Sequence, residues 1–125
     1  ASSSRAGQDL PDRDILDYKE AVKRYCGDEP FLRKALLGFA DECRDKLSRL
    51  ESVLAEEDLE TAVFISHSIK GDARNICAGA LGNAAEKIEK EAKQGRIANA
   101  RGAYPLLVDA FSTFLDALDT RLTNP

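Results

Sequence analysis

Tryptophan is absent from this chain, histidine occurs once, and only 6% of the residues are aromatic. One histidine and three cysteines (Cys26, Cys43 and Cys77), with no C-x-x-C spacing, exclude the usual zinc sites. The odd cysteine count fits reduced, mostly buried thiols rather than a disulfide framework. No basic run occurs and the formal net charge is −4, which argues against a protein that grips a nucleic-acid backbone. No apolar stretch approaches the roughly 18 residues of a membrane span. The opening "ASSSRAG" has no hydrophobic core of a signal peptide. The phosphate-cradling pattern G-x-x-x-x-G-K is missing, as are a G-x-S-x-G elbow and paired carboxylates near the histidine. A cytoplasmic monomer is therefore expected, with no metal, cofactor, nucleic acid or membrane insertion.

What the chain does have is Ala, Leu, Glu, Lys, Asp and Arg in abundance, a composition that favours helices. Its 125 residues suit one domain with one modest core. Residues 1–10 read as a flexible linker or cloning remnant, and 11–125 as one all-α domain. Five helical segments are predicted and no strand. The first runs from about Asp12 to Cys26, opened by Pro11 and Asp12 and closed by Gly27. The second follows Asp28 as N-cap, with Glu29 and Pro30 in its first turn. It carries Leu32, Leu36, Phe39, Cys43, Leu47, Leu50 and Leu54 at three- and four-residue steps and breaks at "AEED". The third spans about Asp58 to Ile76. The fourth spans about Ala80 to Gln94, with Leu81, Ala84, Ala85, Ile88 and Ala92 inward and Gly95 as its stop. The last spans roughly Ile97 to Leu122, with Pro105 expected to kink it or to mark a fresh start. Short connections predict an antiparallel up-down-up-down four-helix bundle, with the additional N-terminal helix across one end or side.

The single histidine lies in "ISHSIKGDARNICAGAL", residues 65–81. At about 100° per residue, Ala62, Ile65, Ile69, Ala73 and Ile76 share one buried stripe, and His67 points nearly opposite it. Gly71 and Arg74 fall beside His67, with Lys70 and Phe64 on its flanks. Glycine inside a helix costs about 1 kcal/mol relative to alanine. A solvated face has no need of it, whereas a face that receives another protein's active site does. An exposed imidazole is a good nucleophile near neutral pH, and an adjacent lysine offsets the charge of an incoming phosphoryl group. To attack through Nε2 the ring must keep its proton on Nδ1, which wants an acceptor. Glu86 and Glu89, on the following helix, are both candidates by composition.

"HSIKGDARNICAGALGNAAEKIE", residues 67–89, resembles the histidine-containing phosphotransfer (HPt) domains of multistep two-component phosphorelays. Their pattern, roughly H-x-[LI]-K-G-[SA]-A-x-x-[LI]-G-A-x-x-L-x-x-x-A-x-x-[LI]-E, is met by His67, Ile69, Lys70, Gly71, Ala73, Ile76, Ala78, Leu81, Ala85, Ile88 and Glu89. The similarity extends over about 12–122. It implies a four-helix bundle whose His67 accepts phosphate from a receiver-domain aspartate and passes it to another receiver, a phosphocarrier without autonomous catalysis. The receiver would supply the Mg²⁺ site. It also favours Glu89 over Glu86 to orient Nδ1, beside Lys70 for charge compensation. For partner contact the outer face of the helix offers Phe64, where the family often has a polar residue, and Gly71, with Arg74 and Lys87 weaker candidates. The expected partners are response-regulator receiver domains, and a hybrid sensor kinase in the same chain is conceivable. Two departures stand out: Asp72 replaces a small residue, and Cys77 replaces a common glycine and stiffens the turn. Two other readings compete. One is the phosphorylatable domain of a chemotaxis-type histidine kinase. The other is a non-catalytic helical adaptor that binds through Phe64 and Val63.

Overall fold

The computed structural model describes residues 12–123. The expected linker over 1–10 and the opening role of Pro11 lie outside the described residues. Among those described, the chain is helical throughout, with no strand: α1 Asp12–Ile15, α2 Tyr18–Arg24, α3 Glu29–Ala55, α4 Leu59–Asn75, α5 Gly79–Lys93 and α6 Ile97–Thr123.

The expected first helix is in fact two. Asp17 interrupts it: its backbone N–H donates to the Cys77 carbonyl at 2.9 Å, and its side chain accepts from Glu20 N–H. A tertiary hydrogen bond and a local cap together replace the helical bonds that continuation would have made. Asp28 and Asp58 cap α3 and α4 in the same way, each accepting a backbone N–H three residues on. Pro105 starts no new helix, because α6 runs through it. Its ring is exposed, so the one missing backbone bond faces water while Ala103 and Leu107 on either side stay buried.

Four connections turn the chain through left-handed residues: Cys26 with Gly27, then Glu57, Cys77 and Gly95. In each, an N–H bonds back to the carbonyl five residues earlier, as Ala78 N–H does to Ala73. That is the usual way to close a helix on glycine. Cys77 accepts the left-handed backbone without glycine's freedom, at a cost of about 1 kcal/mol. Its substitution is thus a strained turn, and not merely a stiffer one. The thiols are free, but only Cys43 is buried; Cys26 is exposed and Cys77 intermediate, against the expectation of mostly buried cysteines.

The predicted apolar stripe of α3 is buried at every position from Leu32 to Leu54. It meets the α4 stripe of Ala62, Ile65, Ile69 and Ala73. Helix α5 packs between α4 and α6, and α6 returns to α3. Phe114, fully buried, is flanked by Phe39 in an edge-to-face contact at 5.4 Å and by Phe111 at 6.4 Å. Arg101 on α6 donates to the carbonyls of Leu54 and Ala55, which satisfies the last turn of α3.

Candidate functional site

Because the inward stripe of α4 is fixed by the core, the opposite side of that helix faces water. His67 stands there with its side chain 65% exposed. Phe64, one turn earlier, is 71% exposed, so it does not pack against α3. Gly71, one turn later, is exposed as well, and a Cβ placed on it would meet no atom within 4 Å. Ser66 turns inward and donates its hydroxyl proton to the Ala62 carbonyl at 2.7 Å.

The approach of α5 to α4 decides what lies behind the imidazole. At Gly82 a Cβ would stand 3.0 Å from Arg74 Cγ and 3.5 Å from the Lys70 carbonyl, so hydrogen at this position lets the two helices come close. Two turns on, the same face of α5 carries Glu89. Its carboxylate is only 3% exposed. Oε2 lies 2.8 Å from His67 Nδ1 and 3.1 Å from Lys93 Nζ. Oε1 lies 2.7 Å from Lys70 Nζ, and Lys70 is itself 18% exposed. That contact is off the line of a directed hydrogen bond and leaves Oε1 without one. At such a distance the charges still attract strongly in a buried setting, so it is an ion pair.

Burial pushes the Glu89 carboxyl up, but the contacts from Lys70, His67 and Lys93 outweigh it and hold it at about 2. A carboxylate ionised at neutral pH only accepts hydrogen bonds. Nδ1 must therefore be the donor, which fixes the tautomer and leaves the Nε2 lone pair directed to solvent.

The lowered carboxyl makes stability depend on pH. Glu89 binds its proton more weakly folded than unfolded, where it titrates near its ordinary 4.5. Its contribution is therefore full above about pH 4.5 and is lost as pH falls toward 2. Glu89→Gln should lower stability by about 2 kcal/mol at pH 6, less than the full shift implies because Lys93 is solvent-screened. That gap should close between about pH 4.5 and 2 in paired thermal melts. A gap independent of pH would mean the contribution is packing and not charge.

Of the sequence-derived candidates, His67, Lys70 and Glu89 come together in one cluster. Phe64 and Gly71 flank the imidazole on the open side. Arg74 does not join as a free cation, because its guanidinium is held by Asn83 Oδ1 at 3.0 Å and Glu86 Oε1 at 2.9 Å. Glu86 is thereby committed to Arg74, and it is Glu89 that meets the imidazole. Lys87 lines a groove on the α6 side of α5, away from this cluster. Asp72 is engaged by Lys46 of α3, Nζ to Oδ2 at 2.7 Å. Sequence reasoning passed over Lys93, Gly82 and Lys46. Lys93 carries a signal in its i,i+4 spacing from Glu89; the other two act through helix contacts that no local pattern reports. Among the described residues no group of His, Cys, Asp and Glu is placed to hold a metal ion, and no helix is long and apolar enough to cross a membrane.

No curated protein and no solved structure matches the chain. The Hpt domain family model matches residues 34–122, well over half of it, from the first turns of α3 to the end of α6. Hpt domains are phosphocarrier modules that serve histidine phosphotransfer in phosphorelays and interact with the receiver domains of response regulators. With α3 to α6 covered by that match and the lone histidine inside it, the chain belongs to the Hpt domain family.

Proposed function

We propose that His67 is the phosphoryl acceptor of a phosphorelay intermediate, taking the group from a phospho-aspartate of one receiver and passing it to the aspartate of another. The observation that carries this reading is an exposed imidazole whose Nδ1 is held at 2.8 Å by a buried carboxylate. In the forward step the Nε2 lone pair attacks phosphorus. The N–P bond forms as the P–O bond to the aspartyl carboxylate breaks, and the carboxylate leaves as an anion. Nδ1 keeps its proton throughout, so the phosphorylated ring is an imidazolium, and Glu89 offsets its positive charge. Lys70 stands beside the ring to compensate the phosphoryl charge.

In this reading the chain is a monomeric cytoplasmic carrier without catalysis of its own. Residues 11–125 act as one domain, with α3 to α6 as an antiparallel up-down-up-down bundle and the N-terminal helices across one end. Incubation with a phosphorylated receiver should leave acid-labile, base-stable phosphate on the protein. Labelling absent with every receiver of the source organism would overturn the reading.

The receiver is placed on the face that carries Phe64, His67 and Gly71. An aromatic side chain 71% exposed beside the nucleophile suits a docking anchor. Phe64→Ala should weaken receiver binding about tenfold while the melting temperature stays within about 2 °C, because little packing is removed. Unchanged affinity would place the receiver elsewhere.

A further inference from the structure

Asp72 follows Gly71 directly, and a carboxylate there stands at the shoulder of the face assigned to an anionic donor. The structure gives it one cationic partner. Lys46 reaches from α3 to place Nζ 2.7 Å from Asp72 Oδ2 and 2.7 Å from the hydroxyl of Ser68, the residue next to His67. No other cation pairs with Asp72 among the described residues. An open groove beside the pair is lined by Gly38, Glu42, Asp72 and Asn75, and Glu42 adds a second carboxylate one turn before Lys46. The core beneath, with Cys43, Leu47 and Ile69 buried, is complete without the ammonium group.

We propose that Lys46 is a positioning residue that acts through Asp72: it neutralises the carboxylate so that an anionic phosphodonor can approach His67 over the α3 shoulder of α4. The inference rests on the reading of His67 as phosphoryl acceptor. Helix geometry puts the Cα atoms of Asp72 and His67 about 9 Å apart with their side chains about 140° apart around the axis, so the carboxylate and the imidazole are separated by somewhat more than that. At low salt, about 0.01 M, charges act over roughly 30 Å, which spans the gap. An unmasked carboxylate at that range repels a donor aspartyl phosphate and the acidic groups around it. Like charge at the edge of an interface chiefly slows association, and salt relieves it. A single half-buried ion pair at the surface of a complete core contributes little to stability, so the fold does not depend on it.

The test uses Lys46→Gln, which keeps most of the aliphatic stem, Asp72→Asn, and the double variant. Transfer from a phosphorylated receiver at low salt should fall about tenfold in Lys46→Gln, in KM and not kcat. The defect should shrink as salt is raised, and Asp72→Asn added to it should bring the rate back to within about twofold of wild type. Asp72→Asn alone should transfer at the wild-type rate or faster. A Lys46→Gln variant at the wild-type rate, or a double variant as slow as Lys46→Gln, would overturn the inference; a wild-type chain that takes no phosphate would instead overturn the phosphorelay reading. A second arm needs no receiver, since the chain has one histidine to modify. At low salt, Lys46→Gln should slow His67 phosphorylation by the phosphoramidate anion about twofold and leave its acylation by neutral diethyl pyrocarbonate unchanged, with Asp72→Asn reversing the effect. Equal slowing of both reagents, or of neither, counts against the role of Lys46.

Discussion

His67→Gln is expected to take up no phosphate from any receiver or small phosphodonor while melting within about 2 °C of the wild type. The two halves of that result have separate causes. The chain contains no second imidazole, so no other side chain can form a phosphohistidine. The side chain is 65% exposed, so its replacement removes little buried surface. Glutamine can still offer an N–H to Glu89, and Lys70 and Lys93 still face that carboxylate. The buried charge is therefore not stranded, which is what would otherwise make the substitution costly. Acid-labile, base-stable label surviving in His67→Gln would place the acceptor elsewhere. A drop in melting temperature of more than about 8 °C would show that the imidazole holds α4 to α5 as well, a structural part the exposed ring does not suggest.

The histidine's outward position was legible because α4 repeats its apolar residues with a period close to 3.6. Ala62, Ile65, Ile69 and Ala73 define the buried side, and everything opposite follows from geometry. The same holds for α3, whose seven-turn stripe is buried throughout. The cap at Asp28 is legible for a related reason, since its partner lies three residues away, and Asp58 caps α4 in the same pattern although it reads in the sequence only as the start of that helix. Interactions over long sequence separations were not. Asp17 ends α1 because of a carbonyl on Cys77, sixty residues on, and nothing in "DILDYKE" announces it.

The site divides along the same line. Glu86 and Glu89 are equivalent by composition; the family pattern points to Glu89, and the crossing of α5 over α4 at Gly82 supplies the physical reason, giving one to the histidine and the other to Arg74. Phe64 lies beside His67 on the side opposite the apolar stripe, and its 71% exposure agrees with that geometry. Asp72 shows in the sequence only as a departure from a small residue; its partner Lys46 sits on another helix, so no local pattern reports that the charge is paired. The outcome at Cys77 is similar: the residue type argued against a left-handed turn, and the tertiary arrangement imposes one.

Gly71→Leu should separate stability from transfer more sharply than any other change. The position is inside α4, exposed, and free of neighbours within 4 Å of a Cβ. The Cβ of a leucine there meets open space in the isolated protein, and exchanging glycine for a strong helix former should raise stability by about 0.5–1 kcal/mol. The same side chain projects into the space beside His67, one turn away on the same face. A receiver must bring its aspartyl phosphate within bonding distance of Nε2, and its surface then has to cross that space. Transfer from a phosphorylated receiver should fall at least a hundredfold, because a displacement of about 1 Å at a reacting centre already costs about that much. Phosphoramidate, which needs far less room, should label His67 in the variant at a rate within about threefold of wild type. The demanded result is thus a melting temperature equal or higher, nearly intact small-donor labelling and a collapsed receiver rate. If receiver transfer persists at the original rate, the donor does not approach across Gly71 and the docking face must be redrawn around Phe64 alone. If small-donor labelling collapses too, leucine has disturbed the imidazole itself, and the loss says nothing about a receiver's path.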